Sequence, residues 1–146
     1  MNLSCTLSAT LLLLTTLPAH AEWALSQRPG TASITQRAGE HSIQIFCTKH
    51  LPKNILQVNF SNWTRPTPKS VMIWIELPDG RTDRQSMDFA AYDGALAVRL
   101  QTSSRVLGNL QNAASLSFTD DGHEIARTDA RGTGAFRLAV KEQCKF

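Results

Sequence analysis

No segment of this chain approaches the ~20 consecutive apolar residues that cross a bilayer as a helix, and the longest uninterrupted apolar run is only Val71 to Ile75. A spanning helix is therefore excluded from the sequence as it stands. Cysteine is scarce, at three residues, and no C-x-x-C pair occurs, so neither a thioredoxin-like redox motif nor a zinc site with the usual ligand spacing is present. No G-x-S-x-G elbow displays a serine, and no run of glycines ends in a P-loop lysine. Basic residues exceed acidic ones by 15 to 12, a net charge of +3, yet the ten arginines are dispersed. Nucleic-acid binding would call for a basic stripe with interleaved aromatics, and only Trp63-Thr64-Arg65 hints at one. Internal repeats and low-complexity tracts are absent as well.

What is present begins with an address. Met1 to Ala21 holds the apolar run Leu11 to Leu14, then Pro18 and the small-x-small triplet Ala19-His20-Ala21, which predicts a secretory signal peptide cleaved after Ala21, although its n-region carries no Lys or Arg. The expected mature part, residues 22–146, is one exported domain, periplasmic or secreted. Cys5 leaves with the leader. Cys47 and Cys144 remain as an even pair in an oxidising compartment, where a disulfide is the default outcome. On the chain-entropy account, closing a loop of nearly a hundred residues removes on the order of 4 to 5 kcal/mol of unfolded-state freedom, comparable to the net stability of a small domain.

Periodicity predicts the elements. Trp23 to Gly39 reads as a loosely held start with one edge strand around Ala32 to Gln36. His41 to Lys49 alternates, with Ile43, Ile45 and Cys47 on one face; Ile55 to Asn62 alternates again after a turn at Pro52-Lys53-Asn54. Trp63 to Ser70 holds Pro66 and Pro68 and is a connection. Val71 to Leu77, almost wholly apolar and closed by Pro78-Asp79-Gly80, predicts the central strand, with Trp74 in the core. Arg81 to Phe89 is a polar strand or loop, and Ala95 to Leu100 a short strand after the Asp93-Gly94 turn. Ser103 or Ser104 caps a helix over 104–112, Asp120-Asp121-Gly122 joins two strands in a tight hairpin, and Gly132-Thr133-Gly134 opens a C-terminal helix with Phe136, Val140 and Cys144 on one line. The expected fold is thus α+β, a curved antiparallel sheet of about five to seven strands with a short helix and a C-terminal helix tethered by the disulfide.

Side chains with possible chemistry are few. His41, His50 and His123 fall at strand starts or turns, where solvated histidines are ordinary, and none has a metal-ligating neighbour at helical spacing. Asp120 and Asp121 fit a turn better than a calcium loop, and the glycines before the last helix fit a helix start better than an anion cradle. No catalytic, cofactor-binding or metal-ligating residue is therefore assigned. Trp63, beside Arg65 and two prolines, is expected at the surface, and Trp63 with Arg65 is the predicted partner contact.

An early tryptophan, the pattern apolar-x-apolar-x-Cys in IQIFC (Ile43 to Cys47) and the ending GTGAFRLAVKEQCKF, with its Phe136 to Phe146 tail, resemble the periplasmic accessory proteins associated with type VI secretion. In that family the tail usually closes on Trp where this chain has Phe146, and the Trp63 to Ser70 segment has no counterpart. The resemblance implies a non-enzymatic envelope protein that acts through protein contacts, with the cysteine pair as a staple and no cofactor. The alternative is a periplasmic inhibitor or immunity protein that blocks a hydrolase, its cleft-entering loop being Trp63 to Ser70.

Overall fold

The computed structural model describes residues 22–68, 70–92 and 95–146; the expected leader, the Asp93-Gly94 turn and Lys69 lie outside them. Among these residues, nine strands and two helices follow in the order β1 (Ala24–Arg28), β2 (Thr31–Ala38), β3 (His41–Thr48), β4 (Ile55–Ser61), β5 (Val71–Glu76), β6 (Thr82–Tyr92), β7 (Ala95–Gln101), α1 (Ser104–Asn112), β8 (Ser115–Asp120), β9 (His123–Asp129) and α2 (Thr133–Cys144). They form one antiparallel sheet in the order β1-β2-β3-β4-β7-β6-β5-β8-β9. The α+β class and the antiparallel sheet agree with the sequence reading; the strand count is higher.

Alternation explains most of the sheet. Ile43, Ile45 and Cys47 on β3 and Leu56, Val58 and Phe60 on β4 are fully buried, and across the sheet Phe60 meets Phe118 of β8 edge to face at 5.1 Å between centroids. A period of two puts every second residue on one face, so this side of the sheet must be covered. Both helices provide the cover. α2 packs on β2 and on α1, burying Phe136, Ala139 and Val140, while α1 buries Val106, Leu107 and Leu110. Ser103 caps α1, its hydroxyl accepting from the Val106 amide at 3.2 Å.

The sheet curves far enough for its two ends to be joined by hydrogen bonds. Trp23, just before β1, donates its indole N–H to the carbonyl of Asp129 at the end of β9 (2.9 Å), and its backbone N–H reaches the Arg131 carbonyl (3.0 Å). The Thr128 hydroxyl of β9 donates to the side-chain carbonyl of Gln36 on β2. Gly132 turns the chain into α2 at φ 91°, and a Cβ there would lie 2.7 Å from the Trp23 carbonyl oxygen. The helix-start reading of this glycine therefore has a steric reason.

Three expectations need correction, and one open alternative is decided. The Trp23 to Gly39 segment is a hairpin of two strands, β1 and β2, turning at Pro29-Gly30; β1 is exposed throughout and so shows no burial periodicity to read. Of the two readings of Arg81 to Phe89, strand or loop, the strand holds: from Thr82 the segment falls in β6, which runs on to Tyr92. Its pattern is obscured because Asp83 points toward the helices, where Asn109 of α1 donates to it at 2.7 Å and Gln85 at 2.7 Å. β5 is interior but is not the middle of the sheet, a place taken by β7. Trp74 is half-buried on the face opposite the helices, because β5 alternates despite its continuous apolar sequence: only Val71, Ile73 and Ile75 face the core.

Cys47 of β3 and Cys144 at the end of α2 form the expected disulfide, with Cα atoms 6.2 Å apart. Its intact mass should be two hydrogens below that of the reduced chain. Replacing both cysteines with alanine should lower stability to urea by ~2–5 kcal/mol, and an unchanged midpoint would show that α2 holds its place without the bond.

Candidate functional site

The connection between β4 and β5 spans the two strands β7 and β6 that lie between them in the sheet. Asn62 starts it in the left-handed region at φ 55°, a conformation asparagine tolerates better than most residues. Trp63 then turns inward. It is 2% exposed, packs against His41 (centroids 5.9 Å) and Phe60 (6.4 Å), and its indole N–H points to the Pro66 carbonyl at 3.4 Å. The expectation of a surface tryptophan is therefore corrected. A large ring at the open end of a curved sheet removes more apolar area from water by plugging the core than by lying outside it.

Pro68 is also buried, whereas Thr64, Arg65, Pro66 and Thr67 are exposed. A short exposed segment is thus held between two buried anchors and stiffened by two prolines. Beyond it the Ser70 carbonyl accepts from the Asp121 amide at 2.9 Å, tying the exit of the loop to the β8–β9 turn. The Arg65 guanidinium carbon lies 5.7 Å from the centroid of the Trp63 ring, a cation–π placement that orients the charge. Trp63 and Arg65 are brought together, as the sequence suggested, but in unlike roles: the ring is a pin and the cation is what solvent meets.

Arg65 separates two clefts. One, of about 340 Å³, lies between the proline loop and the β8–β9 turn and is lined by Arg65, Pro66, Pro68, Asp120, Asp121 and His123. The other, of about 250 Å³, is bounded by Arg65, Glu40, His41 and Glu124. Asp121 and Gly122 both have positive φ, 47° and 82°, so this pair makes the tight turn expected of it. His50 and His123 are exposed, but His41 is 7% exposed, with Nδ1 2.9 Å from the Ser61 carbonyl oxygen. Its ring packs beside that of Trp63. Among the described residues no three His, Cys, Asp or Glu side chains converge on a metal position.

The outward face of β5 carries a separate polar cluster. Glu76 accepts from the Ser115 hydroxyl and from Arg127 at 2.8 Å; Arg127 also reaches Glu124 at 3.1 Å. The Ser115 hydrogen bond first, and then Arg127, hold the Glu76 carboxyl below its ordinary value of 4.5. Beside this cluster, Trp74 donates its indole N–H to the Thr119 hydroxyl at 3.2 Å and lies under Arg84 at 5.7 Å.

A further cleft, of about 560 Å³, lies elsewhere, between the β1–β2 turn, the β3–β4 connection and the end of α2. Lys49, Lys53 and Lys145 line it together with Glu142 and the disulfide's Cys144. The sequence reading missed this grouping. The cysteine pair was the available signal: Lys49 lies two residues after Cys47 and Lys145 one after Cys144, so bridging the cysteines gathers the lysines.

No family model, curated protein or solved structure matches the chain. Two outcomes follow from the geometry of these sites. Trp63→Ala should cost ~3–5 kcal/mol in urea unfolding, as expected for an emptied aromatic site, whereas Arg65→Ala should fall within ~0.5 kcal/mol of the parent; equal effects would contradict the division into pin and displayed cation. Because the folded-state Glu76 pKa is depressed, its contribution is present above the unfolded carboxylate range and is lost as pH falls below 4.5. Stability of Glu76→Gln should consequently fall less steeply with acidification than that of the parent, and parallel curves would refute the coupling.

Proposed function

We propose that this chain is a non-enzymatic exported protein that acts through protein contacts in the cell envelope, with the Thr64–Thr67 loop as a docking element. The observation that carries the proposal is the pinning of that loop by buried Trp63 and Pro68 while Arg65 stays exposed between two clefts. A segment fixed before it meets a partner loses little entropy on docking, and arginine is among the residue types that dominate interface energetics. The disulfide fits an oxidising compartment, and no helix among the described residues is long and apolar enough to cross a membrane.

Two forms of this reading differ in the partner. In the first the protein is an accessory of a secretion assembly, the role implied by its resemblance to the periplasmic type VI accessory proteins. The second is an inhibitor or immunity protein, favoured by the stiffness of the loop, since a proline-bounded projection is suited to entering the cleft of a hydrolase. Capture from an envelope extract separates them: recovery of a secretion-machine subunit supports the first and recovery of a cell-wall hydrolase the second. Arg65→Glu, which leaves the pin intact, should abolish either capture. Equal recovery by parent and variant would overturn the loop as the docking element, and Trp63→Ala is the wrong probe because it disturbs the core.

A further inference from the structure

β1 is incomplete as a structural element. It is the outermost strand, hydrogen-bonded to β2 alone among the described residues, and all five of its residues are exposed, Leu25 included at 39%. Fixing a backbone costs ~1–2 kcal/mol per residue, and the usual compensation is side-chain burial on at least one face. Here the compensation comes from one ladder, from the neighbouring α2 and from the anchoring of Trp23 at its start, without burying any β1 side chain. Natural edge strands are commonly shortened, bulged or heavily charged to prevent further pairing, but β1 pairs with β2 in unbroken register from Ala24 to Arg28, and its single charge is at one end.

That end is informative. Arg28 is followed by Pro29 and Gly30, which line the 560 Å³ cavity with Lys49, Lys53 and Lys145. These four cations are exposed, and Glu142 is the single acid lining the cavity. None of the four joins an ion pair among the described residues, in contrast to Arg81, Arg127 and Arg131, which all do.

We propose that the free edge of β1 receives an extended segment of a partner protein as an added antiparallel strand, with acidic residues at the amino-terminal end of that segment. The direction follows from the geometry: β1 runs toward the lysines, so an antiparallel strand begins beside them and runs away, and every existing pair in the sheet is antiparallel. A second copy of the chain fits less well, because symmetric pairing would bring Arg28 opposite Ala24 and set a single acid, Glu22, against three lysines. The proposal rests on the protein-contact reading but uses a surface distinct from the Arg65 loop.

Three synthetic peptides test it: three glutamates followed by alternating valine and threonine, the same sequence with the glutamates last, and a version with lysines in their place. The first should bind most tightly, more so at low salt, and should slow hydrogen exchange at alternate β1 amides. Replacing Lys49 and Lys53 together by Glu should weaken it about tenfold or more, with the thermal midpoint of the free protein unchanged because both side chains are exposed. Equal binding of the three peptides, or binding without slowed exchange in β1, would overturn the proposal. So would a concentration-dependent dimer whose β1 amides are already protected. Arg65→Glu should leave peptide binding intact, so failure of the peptides and failure of the Arg65-dependent capture are separate results.

Discussion

Covering one face of a strongly curved sheet is the constraint on which the structure depends, and the Cys47–Cys144 bond fixes the element that meets it. β3 sends Ile43, Ile45 and Cys47 into the concave side, and α2 returns Phe136, Val140 and Cys144 to meet them. A twelve-residue helix at the end of a chain is a natural place for fraying, since it is held by packing along one stripe only. The bond converts that marginal contact into a fixed one. α1 then packs on α2, and the buried side chains of β4, β5 and β8 belong to the same core as those of the two helices.

Curvature creates the second dependence. Among the described residues, the two ends of the sheet are joined not by a strand pair but by Trp23 on Asp129 and Arg131, and by Thr128 on Gln36. Polar bonds of this kind add little net stability when water can replace them, and much more when their atoms are buried. Gln36 and Thr128 are both buried, and Trp23 is 3% exposed, so the joint is of the second kind. Gly132 belongs to the same joint, since the turn into α2 passes too close to the Trp23 carbonyl for any side chain.

Legibility in the sequence followed burial. Where one face of a strand is in the core and the other meets water, as in β3 and β4, the period of two was plain, and the cap of α1, the Asp121-Gly122 turn and the cysteine pair were readable from residue chemistry alone. It failed where that contrast is missing. β1 is exposed on both faces, β6 turns Asp83 and Gln85 inward toward Asn109, and β5 places Trp74 on its outward side, so composition misled in each case. The site was legible in part: Trp63 and Arg65 are neighbours at a proline-stiffened turn, but which of the two faces solvent depends on ring packing against Phe60 and against His41, which lies a strand earlier at the start of β3.

The same contrast bears on where this protein can interact. A sheet whose concave side is sealed by helices can offer a partner its convex face, its ends or its edges. On the convex face, Glu76, Ser115, Arg127 and Glu124 already satisfy one another, so a partner there would have to break existing bonds before forming new ones. The end near Arg65 and the β1 edge beside the lysines are different: the first holds its backbone still while leaving a cation exposed, and the second leaves backbone groups and cations exposed together. Both are surfaces on which a partner adds contacts without first removing any, and that asymmetry, more than the overall charge, is the physical reason to look for recognition there.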